Sequence, residues 1–209
     1  EKKVSVGNQY SNILTLEDLN TLLEKCNKNK SFSFDTETDS VDPIDANLVG
    51  VSFGISEHEA YYIPVNHKDL KDNKKVKGQI EEGTLIKYLK LICNDKSILK
   101  IGHNIKYDLR ILDKYDVKCN SIADTMLLSY AIDNGVTKHN MDDLAYLHLN
   151  HSNIKFKEVV GSGKKEITFD YVEINKALEY AAEDALITLK LYNFLNKRVK
   201  IEKSNFVYR

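Results

Sequence analysis

"FSFDTETDS", residues 32–40, sets three acids, Asp35, Glu37 and Asp39, within five positions and directly behind Phe32 and Phe34. Alternating apolar and small polar residues across "SFSFDTET" (31–38) form a strand pattern. Residues two apart in a strand point to the same face, so Asp35 and Glu37 project together from one side of a sheet, near the strand's end. Asp39 has the same parity but falls past the strand. Two carboxylates this close resist joint ionisation unless a cation lies between them. Hard oxygen ligands favour Mg²⁺ or Mn²⁺. Taken alone, "DTE" fits a polar strand end with solvated acids at least as well, so its meaning depends on the rest of the chain.

Around this strand the pattern is α/β. "TLEDLNTLLEKCNK" (15–28) carries Leu16, Leu19, Leu22 and Leu23 at helical spacing behind Thr15, a good N-cap. "NLVGVSFGIS" (47–56) and "EAYYIPV" (59–65) read as two strands joined by a short turn, which with 31–38 make an antiparallel meander. Helices are expected over 81–95, 104–116, 123–133, 141–150 and 172–200, with a short buried strand at 97–102 and a Gly/Lys turn within 155–169. A meander followed by alternating helices and strands gives an α/β layered domain with a mixed central sheet and flanking helices.

Composition narrows the function classes. The chain has 209 residues, 42% hydrophobic and 29% charged, with a net charge of -1. That length suits one large domain, taken here as 1–209. No apolar run approaches the roughly 20 residues of a membrane span, and the start, "EKKVSVGNQY", has no apolar signal core. The near-zero charge argues against a protein that coats nucleic acid through a basic face. Cys26, Cys93 and Cys119 form no CxxC pair and read as reduced cytosolic thiols.

Two further clusters carry acids. In "GHNIKYD", Asn104 and Asp108 are four apart, on one face of a helix that follows a strand. Capping by Asn104, with Asp108 favoured by the helix dipole, explains them equally well. In "YAAED", Tyr180 and Asp184 are also four apart, and Ala181, Ala182 and Ala185 leave room for a close approach to the sheet. Glu183 should point to solvent. Taken singly, Tyr180 reads as core and Asp184 as a solvated acid.

The order strand D-x-E, helix N-x-x-x-D, helix Y-x-x-x-D resembles the three exonuclease motifs of the DEDD superfamily, in its tyrosine-bearing branch. "FSFDTETDSVDPIDANLVGVSFGI", "GHNIKYDLRIL", "ADTMLLSYAI", "HNMDDLA" and "YAAEDALITL" are similar to the proofreading 3′–5′ exonuclease domain of family A DNA polymerases, the DNA polymerase I (Klenow) type. The resemblance runs from about residue 12 to residue 200. It implies a ribonuclease H-like fold and hydrolysis of single-stranded or frayed DNA 3′ ends to 5′-mononucleotides with two divalent ions, Mg²⁺ or Mn²⁺.

The resemblance also implies roles. Asp35, Glu37 and Asp184 would hold one metal, and Asp35 with Asp108 the second. Tyr180 would orient the attacking water with Glu37 as partner. Asn104 lies where the family has an asparagine near the terminal nucleotide, Val41 where it has an apolar wedge (usually Leu), and Phe156 where an aromatic stacks on a base. "GSGKKE" (161–166) would either touch the phosphate backbone or be a flexible hairpin turn. His103 departs from the family's Gln, and the segment before "ADTM" is one residue shorter. The implied partners are a single-stranded DNA 3′ end and a polymerase domain of the same chain, expected after "IEKSNFVYR". The implied setting is a monomer in a bacterial cytoplasm, associated with the nucleoid and with no membrane. A vestigial, non-catalytic domain and a free-standing exonuclease acting on RNA are the alternatives.

Overall fold

In a computed structural model, residues 7–133 and 138–201 are described; the charged start at 1–6, the segment 134–137 and the terminal 202–209, including Arg209, lie outside the described residues. The elements in chain order are β1 (Gln9–Asn12), α1 (Leu16–Asn29), β2 (Ser31–Thr38), β3 (Leu48–Ser56), β4 (Glu59–Pro64), α2 (Glu82–Asn94), β5 (Leu99–Gly102), α3 (Lys106–Asp113), β6 (Ile122–Asp124), α4 (Thr125–Asp133), α5 (Met141–Leu149), α6 (Phe156–Val160) and α7 (Ile174–Ile201). The strands form one mixed sheet in the order β1-β4-β3-β2-β5-β6. The meander β2–β3–β4 is antiparallel as expected. It is extended by β1 beside β4, β5 beside β2 and β6 beside β5, all in parallel.

Parity along β2 divides the molecule. Phe32 and Phe34 enter a core with Leu19 and Leu22 of α1, Leu85 and Leu89 of α2, and Ile111 and Leu112 of α3. Ser33 faces the other way, where its hydroxyl donates to the Ala185 carbonyl of α7 at 2.6 Å. Ala181, Ala182 and Ala185 are fully buried there, because only small side chains let a helix backbone come so near a sheet. α4 and α5 cover the far half of α7 through Leu128, Leu144, Ile187 and Leu191.

Gly54 pairs with Ser33 across β3 and β2. A Cβ there would sit 2.3 Å from Ser33 Oγ and 2.7 Å from the Ala185 oxygen. Gly54→Ala is therefore expected to force α7 off the sheet and cost about 1–3 kcal/mol, a drop in Tm of several degrees in a melting experiment. An unchanged Tm would show that this approach is loose.

Several expected boundaries move. β1 was not foreseen, since "QYSN" is polar, half-exposed and without apolar alternation. The helix expected from residue 123 starts at Thr125, because Ala123 and Asp124 pair with β5 as β6. The helix expected over 104–116 is shorter, for reasons given below. Cys26 and Cys93 are fully buried and Cys119 half-buried. No helix among the described residues is long and apolar enough to cross a membrane.

Candidate metal centre

β2 delivers Asp35 and Glu37 on the face that meets α7, as the strand parity predicts. The close approach at Ser33 and Ala185 brings Asp184 over them. Ligand atoms of Asp35, Glu37 and Asp184 lie within 4.8 Å of one another. Glu37 and Asp184 are buried, and Asp35 is half-buried at the rim. Glu37 Oε1 is buried without a hydrogen-bond partner among the described residues. An orphaned carboxylate oxygen beside two more carboxylates is costly in a metal-free protein and is what a divalent cation would satisfy. The donors are all carboxylate oxygens, which suits a hard cation.

Electrostatics point the same way. Burial, then repulsion from Asp108, Glu37 and Asp184, holds the Asp35 carboxyl well above the usual carboxylate range. Burial and Asp184 do the same to Glu37. Burial pushes Asp184 up to about 7 against a hydrogen bond from Tyr180 that favours the anion. Burial also raises the Tyr180 phenol, assisted by Asp184, Glu37 and Asp35. A phenol whose ionisation is opposed this strongly serves as a donor and not as a base.

Asp108 arrives from the opposite layer. β5 ends at Gly102, so β2 has no partner on that side beyond Ser33. Asp108 fills the gap: its Oδ1 accepts from the Thr36 amide at 2.9 Å and from the Thr36 hydroxyl at 2.6 Å. Thr36, the middle residue of "DTE", thus orients Asp108 beside Asp35. Burial pushes the Asp108 carboxyl up to about 7, partly offset by these Thr36 bonds.

Asn104 is not on a shared helical face with Asp108. It sits in the left-handed region at φ 56, ahead of α3, and is exposed. Nor does its side chain cap α3. The turn is set by Asp124, a residue the motif reading did not single out. Asp124 Oδ1 accepts from Asn104 N at 3.1 Å and from Met126 N at 2.8 Å, and its Oδ2 accepts from Ile105 N at 3.1 Å. One carboxylate therefore fastens the starts of α3 and α4. The only sequence signal was an Asp in the first turn of the helix expected from residue 123.

Val41 and Phe156 line one cleft of about 400 Å³, together with Glu37, Tyr107 and Phe169. Val41 is 86% exposed. Phe156 stacks on Phe169 with ring centroids 6.3 Å apart and meets Tyr180 edge-on at 6.0 Å, which leaves it 42% exposed to the cleft. Tyr107 donates to Ser40 O at 2.9 Å, tying the Val41 segment to α3. Segment 161–166 is not a hairpin. Gly163–Lys165 is a 3₁₀ turn, and Ile167 N donates to Val160 O at 3.0 Å. With no flanking strands to pair, the chain folds back on α6, and Glu166 and Ile167 reach the cleft wall. Asp39 lies past the strand as expected, accepting from Asn47 N and Nδ2.

Glu183, expected in solvent, is 7% exposed. Its Oε1 accepts from His151 Nε2 at 2.8 Å and its Oε2 from Ile154 N at 2.7 Å.

The chain is similar to known proteins. Residues 10–200 match a family of 3′–5′ exonucleases. The DNA polymerase I of Rhizobium leguminosarum is 38% identical over 215 residues, covering 95% of this chain and 21% of that protein. The DNA polymerase I of Pseudomonas aeruginosa is 36% identical over 203 residues, covering 96% and 22%. The chain thus spans about a fifth of the length of the curated relatives it matches. Among solved structures, Brucella melitensis NrnC superposes with a TM-score of 0.68 at 20% identity, covering 98% of this chain and 87% of that one. Escherichia coli RNase D, an exoribonuclease, gives 0.66 at 18%, covering 92% and 46%. At these identities the likeness is one of fold, the ribonuclease H-like fold that was expected.

Proposed function

The chain belongs to the 3′–5′ exonuclease family, being homologous to the phosphodiester-hydrolysing domain of DNA polymerase I, and on that premise we propose that it removes nucleotides from single-stranded or frayed DNA 3′ ends. The observation that carries the reading is the buried trio Asp35, Glu37 and Asp184, with Glu37 Oε1 lacking any partner among the described residues.

Asp35, Glu37 and Asp184 would hold one divalent ion. Asp35 and the Asp108 oxygen not taken by Thr36 would hold a second, partly through water. Such ions, Mg²⁺ or Mn²⁺, supply an acidified water and charge stabilisation for the leaving 3′ oxygen. The protein's own groups do the rest. Tyr180 keeps its proton, and its hydroxyl, held by Asp184, would aim the attacking water through its oxygen. Phe156 presents a ring face on which a base stacks with little sequence preference. Val41, which lines the same cleft, would act as the wedge, and the exposed Asn104 is available to the terminal nucleotide. The domain would proofread for a polymerase domain of the same polypeptide, as a monomer in a bacterial cytoplasm at the nucleoid. The presence of all four carboxylates and Tyr180, with Asp35, Glu37 and Asp184 clustered, speaks against a vestigial spacer. The fold shared with RNase D leaves RNA as the second substrate reading.

The test uses end-labelled oligonucleotides with Mg²⁺. Stepwise 3′ shortening with release of 5′-mononucleotides is expected, abolished by EDTA. Mismatched primer ends should be cut about 3- to 40-fold faster than matched ends, since unstacking a terminal pair costs ~0.6–2.2 kcal/mol. Undiminished cleavage in excess EDTA would overturn the mechanism, and cleavage of RNA alone would shift the substrate reading.

A further inference from the structure

Glu183 neighbours Asp184 on α7, but one helical step of about 100° turns it away from the three clustered carboxylates. It faces the segment 151–155, which contains no helix or strand. Such a segment has no ladder of backbone hydrogen bonds to hold it, so its place depends on individual anchors. Glu183 takes two of its groups, the imidazole of His151 and the amide of Ile154. Two residues further on, Phe156 begins α6. Phe156 forms part of the wall of both the 400 Å³ cleft that holds Val41 and a second, 320 Å³ cleft that contains Tyr180 and Asp184. The segment is also held by His151 N, which donates to Ala145 O at 3.2 Å, and by Lys155 N, which donates to Glu158 Oε1 at 3.0 Å. Ile154 packs against the core of Val159, Phe169 and Leu178. None of these reaches the segment from the helix that carries Asp184 with a side-chain acceptor. Lys155 pairs with Asp142 at 2.7 Å, but both side chains are about half exposed.

A carboxylate buried next to a metal ligand needs a reason. Its charge adds to the repulsion on Asp184, and an apolar side chain would pack the same helix face at lower cost. What an apolar residue could not do is accept two hydrogen bonds from a loop. We infer that Glu183 is a positioning residue, fixing segment 151–156 so that the Phe156 ring stands ready to stack on the 3′-terminal base. The inference rests on the proposed exonuclease reading and deepens it: Glu183 governs how tightly the strand end is held and not how fast the bond breaks.

Binding and cleavage are read separately. Anisotropy of a labelled single-stranded DNA in EDTA gives affinity without turnover, and single-turnover cleavage in Mg²⁺ gives the rate at saturation. Glu183→Ala should weaken binding about tenfold, part of the stacking contribution of Phe156, with the saturating rate within about threefold of the parent. Hydrogen exchange at the Ile154 amide should rise. Glu183→Gln keeps an acceptor and should restore most of the affinity. In Glu183→Ala/Phe156→Ala, binding should be no weaker than in Phe156→Ala alone, because both changes remove the same stacking. His151→Ala, at a half-exposed site that leaves the fold intact, should weaken binding about threefold in the same direction.

Additive losses, unchanged affinity in Glu183→Ala and His151→Ala, or a collapse of the saturating rate with binding intact would each overturn the assignment. The last would move Glu183 into the support of Asp184. A parent protein without exonuclease activity would defeat the functional reading instead, and the exchange and binding results would still decide whether Glu183 holds the loop.

Discussion

Asp184→Ala is expected to lower the single-turnover rate on single-stranded DNA by about a thousandfold or more at saturating Mg²⁺, while the protein stays folded. A ligand to a cation that polarises the reacting oxygens is worth several kcal/mol in the transition state, and each 1.36 kcal/mol is about tenfold in rate. Loss of the carboxylate would also leave one oxygen fewer to hold a cation beside Glu37 Oε1, which has no hydrogen-bond partner among the described residues. Tyr180→Phe is the control, since Tyr180 shares the helix face but keeps its proton. It preserves the ring and its contacts with Phe156 (edge-on) and Phe169 (tilted) and removes one hydrogen bond to a charged group. Such a bond is worth ~1.5–3 kcal/mol, so the expected slowing is roughly 10- to 150-fold. Equal rates for Tyr180→Phe and the parent would return Tyr180 to a packing role. Near-parent activity in Asp184→Ala would remove Asp184 from the metal site.

Removing metal should make stability fall as pH rises. Asp108 and Asp184 are held up to about 7, and Asp35 and Glu37 are also raised. The folded form therefore retains protons that the unfolded chain releases near pH 4. Where the folded state binds more protons, stability decreases with increasing pH, so the loss runs from about pH 4 to about pH 7. In EDTA the Tm is expected to drop on the order of 10 °C across that window, since a few kcal/mol correspond to ~2–4 °C each in a domain of this size. Mg²⁺ at neutral pH should restore it by binding only the folded state. Asp35→Ala should flatten the pH profile and raise the metal-free Tm at pH 8 while abolishing cleavage. A flat profile in the parent protein with EDTA would mean that the acids ionise freely, as at a solvated strand end.

Much of this was legible because it is local. Alternation in "SFSFDTET" established that Asp35 and Glu37 share a face, and the structure has them on one face with Ser33. Thr15 caps α1 as its type and place suggested, accepting from Asp18 N at 3.1 Å. The i, i+4 spacing put Tyr180 and Asp184 on one side of α7. These readings hold because side-chain direction follows from backbone periodicity alone, and buried faces repeat it in composition. The motif order then indicated the fold without any pairwise contact being known.

The three-dimensional packing decided what periodicity cannot encode. That Asp184 lies over Glu37 depends on Ser33, Gly54 and Ala185 meeting across more than a hundred residues of chain. Asn104 and Asp108 also obey helical spacing, yet Asp124 draws the backbone at Asn104 into a left-handed turn, so the pair never shares a helix. Glu183 follows a polar pattern that suggested solvent, but a loop that needs anchors closes over it. β1 and β6 are strands because a neighbouring edge offered hydrogen bonds to three or four residues, too few for alternation to show. Spacing along a chain fixes where a side chain points; which distant group meets it there is set by the energy of burying and pairing both, and only the assembled fold supplies the second partner.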